Sequence, residues 1–202
     1  MLGSALAGSR ELRGAADVVV LGLARGGVPV AAEVAAALGA PLDVVIVRKL
    51  GVPGHVELAF GAITADRMVL NDPLIRSLDI SPAERDSVIQ RERSELTRRA
   101  AAYRGGRAAA VLDGKTVILV DDGIATGASM RVAALDARFA GAGKIIVAVP
   151  TAPTSARTEL TSLADAFVCP HMPKHFVAVG MSYEDFTQTE GDEVRALLAR
   201  AN

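Results

Sequence analysis

One cysteine, three histidines and no tryptophan occur in this chain of 202 residues. The lone Cys169 excludes an intrachain disulfide and any cysteine-based zinc site. His55, His171 and His175 are not spaced as an HExxH motif or another metal-binding pattern. An excess of charge of one sign is also missing. Twenty-two Lys+Arg against 23 Asp+Glu leave a net charge of −1, which points neither to nucleic acid nor to a membrane surface. No apolar run approaches the roughly 18 residues of a membrane span, and no signal-peptide pattern opens the chain. A soluble cytoplasmic protein is the expectation. Aromatics supply only 3% of the residues, while 50% are hydrophobic. The length suits one domain, or one core with a substantial insertion.

Strand-like and helix-like segments alternate. Asp17–Leu23 is a continuous apolar run, Val28–Leu38 has helical spacing with Gly39 as its stop, and Leu42–Val47 is a second apolar run ending in Arg48-Lys49. Buried strands separated by helices predict a parallel sheet covered on both faces, an α/β fold. A Gly/Pro-rich loop, Leu50–Glu57, leads to two short strands, Leu58–Thr64 and Arg67–Asn71. Ser81-Pro82-Ala83-Glu84 is a capping box that opens a charged helix to about Tyr103. Its narrow stripe of Val88, Ile89, Leu96 and Ala100 suggests a solvated arm or a subunit contact, and a homodimer is the corresponding expectation. Strands at Lys115–Val120, Lys144–Pro150 and Ala164–Cys169 alternate with helices at Thr126–Ala140 and Pro153–Leu163. The tail contains a strand-like His175–Val179 and a final helix, Asp192–Ala201. The expected organisation is one domain, with a core at about 17–170, a helical insertion at about 72–107, and a small hood from the N-terminal segment and 171–202.

The stretch KTVILVDDGIATGASM, Lys115 to Met130, drives a buried strand into two carboxylates and then into small residues and hydroxyls. In an open parallel sheet, ligands sit beyond the carboxyl ends of the strands. The small residues precede a helix N-terminus, where backbone N–H groups with the Thr126 and Ser129 hydroxyls form an anion nest suited to phosphate. Asp121 and Asp122 would repel that phosphate directly. They suit sugar hydroxyls or a magnesium ion held through water. Together the parts outline a ribose 5-phosphate. A simple helix cap is the bland alternative. A Walker B carboxylate lacks its GxxxxGK[ST] partner. A phospho-receiver domain would place the acidic pair on its first strand.

Val117–Met130 resembles the phosphoribosyl-pyrophosphate signature of type I phosphoribosyltransferases, and its Asp-Asp-Gly-Ile-Ala-Thr-Gly-Ala-Ser form is nearest the adenine-type loops. The resemblance runs from about Val18 to Val149, and the chain also looks like a bacterial group of unassigned acceptor. It implies that Ala125, Thr126, Gly127, Ala128 and Ser129 hold the 5-phosphate, and that Asp121 and Asp122 hold the ribose hydroxyls. It further implies that Ala24, Arg25, Gly26 and Gly27 bind pyrophosphate, with a cis peptide at Ala24-Arg25 or Arg25-Gly26. An ordinary glycine turn with a solvated Arg25 is the alternative. Arg48 and Lys49 would neutralise the departing pyrophosphate, and Leu50–Glu57 would be a mobile lid over it. Two solvated basic residues and an incidental His55 are the plainer reading.

One departure bears on the acceptor. Hypoxanthine–guanine-type members carry Asp immediately before Thr-Gly, where this chain has Ala125. That acid/base role is absent, which argues against a 6-oxopurine, although xanthine-like rings stay open. Phe176, Tyr183 and Phe186 could stack on the acceptor ring or could equally form the hood's own small core. The implied activity is transfer of a phosphoribosyl group from phosphoribosyl pyrophosphate to a small nitrogenous acceptor, with Mg2+. A non-catalytic sensor of phosphoribosyl pyrophosphate or a nucleotide is the runner-up, and an assembly protein using Ser81–Tyr103 is a third class.

Overall fold

The computed structural model describes residues 2–8, 12 and 15–201. Helix α1 (Leu2–Ala7) precedes strand β1 (Val18–Leu23), whose six residues are all buried. Such a run needs no polar alternation because helices cover both of its faces. Helix α2 (Gly27–Leu38) ends at Gly39, which takes the left-handed conformation at φ 66° and donates its N–H back into the last turn. Strand β2 (Leu42–Val45) lies parallel to β1, with Val20 level with Leu42.

The chain then leaves this sheet. β3 (Arg48–Val52), β4 (His55–Ile63) and β5 (Met68–Leu70) form a separate antiparallel sheet. Two expectations change here. The core strand stops at Val45, so Arg48-Lys49 open the second sheet instead of ending a core strand. Residues 50–57 are not an unanchored loop either. Leu50 and Val52 are buried, and Val52 pairs with His55 around the Pro53-Gly54 turn.

Helix α3 (Asp72–Ser77) is capped by the Asn71 side chain, which accepts from the Leu74 N–H. Helix α4 (Pro82–Arg104) opens on the expected capping box of Ser81 and Glu84. Strand β6 (Thr116–Val120), α5 (Ala128–Phe139), β7 (Lys144–Ala148), α6 (Ser155–Leu160) and β8 (Ala166–Val168) complete the parallel sheet in the order β2-β1-β6-β7-β8. The expected strand at His175–Val179 does not form. Val177 is 75% exposed, and a 3-10 turn at Val179–Ser182 follows instead. Helix α7 (Gly191–Arg200) ends the described chain and packs on α2 and α4. So α4 is no free arm. It lies on β3 and α7 and buries Val88, Leu96 and Tyr103.

Alternate residues of β1 divide between the two faces of the sheet. Val18 and Val20 join Val28, Ala31 and Val34 of α2, whereas Val19, Leu21 and Leu23 join Met130, Ala133 and Ala137 of α5. Each fully buried Val, Leu or Ile contributes about 1.5–3 kcal/mol, so aliphatic packing on both faces reinforces the hydrogen-bonded register of the strands. The fold is α/β, with a five-stranded parallel core and helices on both faces. The chain runs from β1 outward to β2 and returns on the other side of β1 as β6. That reversal opens a crevice beyond the carboxyl ends of β1 and β6. Gly22 is level with Val120, and Val120 with Ala148, so the residues after all three strands leave along one edge.

Candidate functional site

Two of those strand-end loops touch. A Cβ at Gly27 would lie 2.6 Å from the Val120 carbonyl oxygen and 2.8 Å from Asp121 Cα. A Cβ at Gly26 would run into the Asp122 carboxylate, whose Cγ is 2.9 Å away. The Gly-Gly pair is therefore required by the approach of the acidic loop, whatever anion it also admits. The Ala24–Arg25 peptide is cis, at one of the two bonds expected. Arg25 reaches outward, with its Nη1 3.8 Å from the Glu190 carboxylate at the start of α7.

The acidic pair sits in a poorly solvated position. Asp121 Oδ1 accepts the Asp122 N–H at 3.0 Å. Burial pushes the Asp121 carboxyl well above the ordinary range, the neighbouring Asp122 charge adds to this, and Lys49 pulls the other way. Burial also raises Asp122, against the Gly123 N–H, which favours its charged form. Two crowded carboxylates of this kind suit a hard divalent cation. Among the described residues no cluster of three or more His, Cys, Asp or Glu could hold a metal ion. A pair of carboxylates is what a magnesium ion would need from a protein, since magnesium keeps water and phosphate oxygens in most of its coordination positions.

Next to the pair, Lys49, Asp121, residues 123–130 and Val179 line a pocket of ≈ 170 Å³. Gly127 turns the chain into α5 at φ 70°, so the first N–H groups of that helix open into the pocket's wall. The Ile124 N–H donates to the Thr151 carbonyl at 3.0 Å and ties this loop to the end of β7. Ala125, Thr126, Gly127, Ala128 and Ser129 all line the pocket. The structure thus brings together the five residues expected to hold the 5-phosphate.

Arg48 and Lys49 part company. Successive residues of a strand face opposite ways. Both Nε and Nη2 of Arg48 donate to Glu92 Oε2, at 2.8 and 2.5 Å, and Glu92 is only 6% exposed. Arg48, expected at the pyrophosphate, is engaged by α4. Lys49 keeps its place beside Asp121, in the lining of the ≈ 170 Å³ pocket.

The tail closes the other side. The Tyr183 hydroxyl donates to the Asp122 carbonyl at 2.5 Å. Burial and then the acidic pair push its phenol up to about 12, so it keeps its proton. The Tyr183 and Phe186 rings are 5.1 Å apart and tilted by 40°. They border a cleft of ≈ 690 Å³ that Arg25, Gly26 and Asp122 flank. Phe176 is not among the residues lining that cleft. Thr151, fully buried, meets Ser182 Oγ at 2.9 Å and was not expected at the site. Its position just past β7, on the same edge as Arg25 and Asp121, is the signal that could have found it. Nothing in the sequence marks Glu190 or Ser182.

Residues 3–184 match the family model described as a phosphoribosyl transferase domain. Two Mycobacterium tuberculosis proteins, from strains CDC 1551 and H37Rv, are each named "Putative phosphoribosyl transferase". Both are 51% identical over 186 residues, which is 92% of this chain and 42% of theirs. The chain therefore spans less than half the length of these curated relatives. The crystal structure of TT1426 from Thermus thermophilus is 40% identical, with a TM-score of 0.80 over 99% of this chain and 95% of that one. A purine phosphoribosyltransferase from Pyrococcus horikoshii shares the fold at 20% identity, with a TM-score of 0.51 over 94% and 90% of the two chains. With the family match running from the first helix into the tail loop, this chain belongs to the phosphoribosyl transferase family.

Proposed function

We propose that the chain transfers the 5-phosphoribosyl group of phosphoribosyl pyrophosphate to a nitrogenous acceptor, a nucleobase-like ring, and releases pyrophosphate. One observation carries this reading. The acidic pair stands between a phosphate-sized pocket on one side and the Arg25-Gly26-Gly27 loop and the larger cleft on the other. That order matches the donor itself, with its 5-phosphate, ribose hydroxyls and pyrophosphate in sequence.

Ala125 to Ser129 anchor the 5-phosphate with backbone N–H groups and hydroxyls. Asp121 and Asp122 accept the ribose hydroxyls and steady positive charge on the sugar as it develops. Arg25, with the backbone of Gly26 and Gly27, receives the pyrophosphate, and Lys49 takes the role first shared between Arg48 and Lys49. Asp121 and Asp122 would hold a magnesium ion, which would supply charge neutralisation for the departing pyrophosphate. The C1–O bond breaks with its electron pair leaving on pyrophosphate, and the acceptor's ring nitrogen forms the C1–N bond with its lone pair. Any proton on that nitrogen passes to water at the open mouth of the cleft. Tyr183 and Phe186, from the tail, provide the wall for the ring. Positioning and electrostatics carry the rate.

A screen of heterocyclic bases for magnesium-dependent pyrophosphate release tests the reading. Release that requires one of the bases supports it. Tight donor binding with no release for any base would favour the non-catalytic regulator.

A further inference from the structure

The cleft beside Asp122 holds hydrogen-bond acceptors in excess of donors. Two hydroxyls in its wall have already given their hydrogens away. Tyr183 donates to the Asp122 carbonyl at 2.5 Å, and Thr187 donates to the Asp185 carboxylate at 2.5 Å. A hydroxyl with its single hydrogen committed can only accept from a ligand. Three carboxylates add to this, those of Asp122, Asp185 and Glu193. Asp185 uses Oδ1 for both the N–H and the hydroxyl of Thr187 and keeps its second oxygen. Glu193 lies in the first turn of α7 and lines the same cleft.

Donors are few by comparison. Arg25 is the single cation among the described residues of the lining, and Glu190 stands 3.8 Å from it. Gln188 and Thr189 are the neutral donors of the wall. A ring bearing a carboxylate would enter a field of its own sign. A ring bearing N–H groups would find an acceptor on most sides and an aromatic wall at its face.

We infer that the acceptor is a flat, amino-bearing nitrogen heterocycle without an acidic substituent, stacked on Tyr183–Phe186 and selected by the carboxylates of Asp185 and Glu193. The inference rests on the phosphoribosyl-transfer reading of the adjoining site. It goes further by giving the acceptor cleft a sign and a donor pattern.

The test is calorimetric titration of protein loaded with magnesium and phosphoribosyl pyrophosphate. Adenine and 2,6-diaminopurine are compared with orotate and nicotinate. The amino-bearing rings bind roughly tenfold tighter or more, the scale of one charge-assisted hydrogen bond gained or one like charge met. Glu193→Gln removes a charge from an exposed helix turn while keeping the side chain's shape, and it narrows that ratio about threefold or more. Equal or tighter binding of the carboxylated rings overturns the inference, as does an unchanged ratio in Glu193→Gln. If the donor itself fails to bind, the phosphoribosyl-transfer reading falls first. The same rings are then titrated into the free protein, where the same order is required for the inference to stand.

Discussion

The Asp122 carboxylate fills the space in which any side chain at Gly26 would begin, with its Cγ 2.9 Å from that point. One residue further on, Gly27 faces main chain, with the Val120 carbonyl oxygen 2.6 Å and Asp121 Cα 2.8 Å from its would-be Cβ. The two glycines therefore differ in what must yield. At Gly27 only backbone can move, so Gly27→Ala should cost about 1–3 kcal/mol by overpacking. For a chain of this size the melting temperature should fall by about 2–4 °C per kcal/mol. At Gly26 a side chain can rotate away, so Gly26→Ala should keep most of its stability but lose donor affinity as Asp122 is displaced. Thermal melts with donor titration separate the two. Equal destabilisation by both substitutions would contradict this account of the loop contact.

Asp121 and Asp122 both have carboxyl pKa values raised by burial. A carboxylate raised in the folded state stabilises the fold fully below its unfolded value, about 3.9 for Asp, and that contribution is lost as pH rises through the folded value. The unliganded protein should therefore lose stability from this pair as pH climbs from about 4 toward neutrality. Asp121→Asn should flatten that part of the profile and raise the neutral-pH melting temperature, while abolishing donor binding. Melts of both proteins between about pH 4 and 8 provide the measurement. A lower melting temperature for the variant at neutral pH would mean that Asp121 serves the fold.

Arg48 and Lys49 should fail in different ways. Arg48→Ala leaves the buried Glu92 with Arg91 as its remaining partner, whose Nε is 3.1 Å from Oε1. A cost of about 1–3 kcal/mol in stability is expected, with a smaller effect on donor affinity. Lys49→Ala should melt near wild type but bind phosphoribosyl pyrophosphate roughly tenfold more weakly, the worth of one charge-assisted contact. Denaturant unfolding and donor titration of both variants are the check, and the reverse pattern would restore Arg48 to the site.

The two halves of the switch point were legible because each is local. A buried run, a small-residue loop and a helix follow one another without a break at Val18–Leu38, and again at Thr116–Phe139. The acidic pair and the small-residue loop that lines the neighbouring pocket are contiguous in sequence, so local position is enough to place them together. What escaped notice depends on partners far away in the chain. The run Leu42–Val47 reads as one strand into Arg48-Lys49, yet the chain changes sheets after Val45, and no periodicity marks such a change. Arg48 is taken by Glu92, 44 residues later. The apolar residues of 175–179 look like a strand, but a strand needs a pairing partner elsewhere in the chain, and this segment joins neither sheet. The glycines of the Arg25 loop suggest room for an anion, yet Gly26 lies against the Asp122 carboxylate and Gly27 against the Val120–Asp121 main chain.

The central claim is that Asp121 and Asp122 hold the ribose of a phosphoribosyl pyrophosphate whose 5-phosphate sits at Ala125–Ser129. Its most direct test is calorimetric titration of magnesium phosphoribosyl pyrophosphate into the wild type and into Asp121→Asn/Asp122→Asn. The wild type should bind with saturable heat that depends on magnesium. The double variant should remain folded by circular dichroism and lose roughly a hundredfold or more in affinity, as expected when two charge-assisted hydrogen-bonding groups are removed. Wild-type affinity in the folded double variant would contradict the claim.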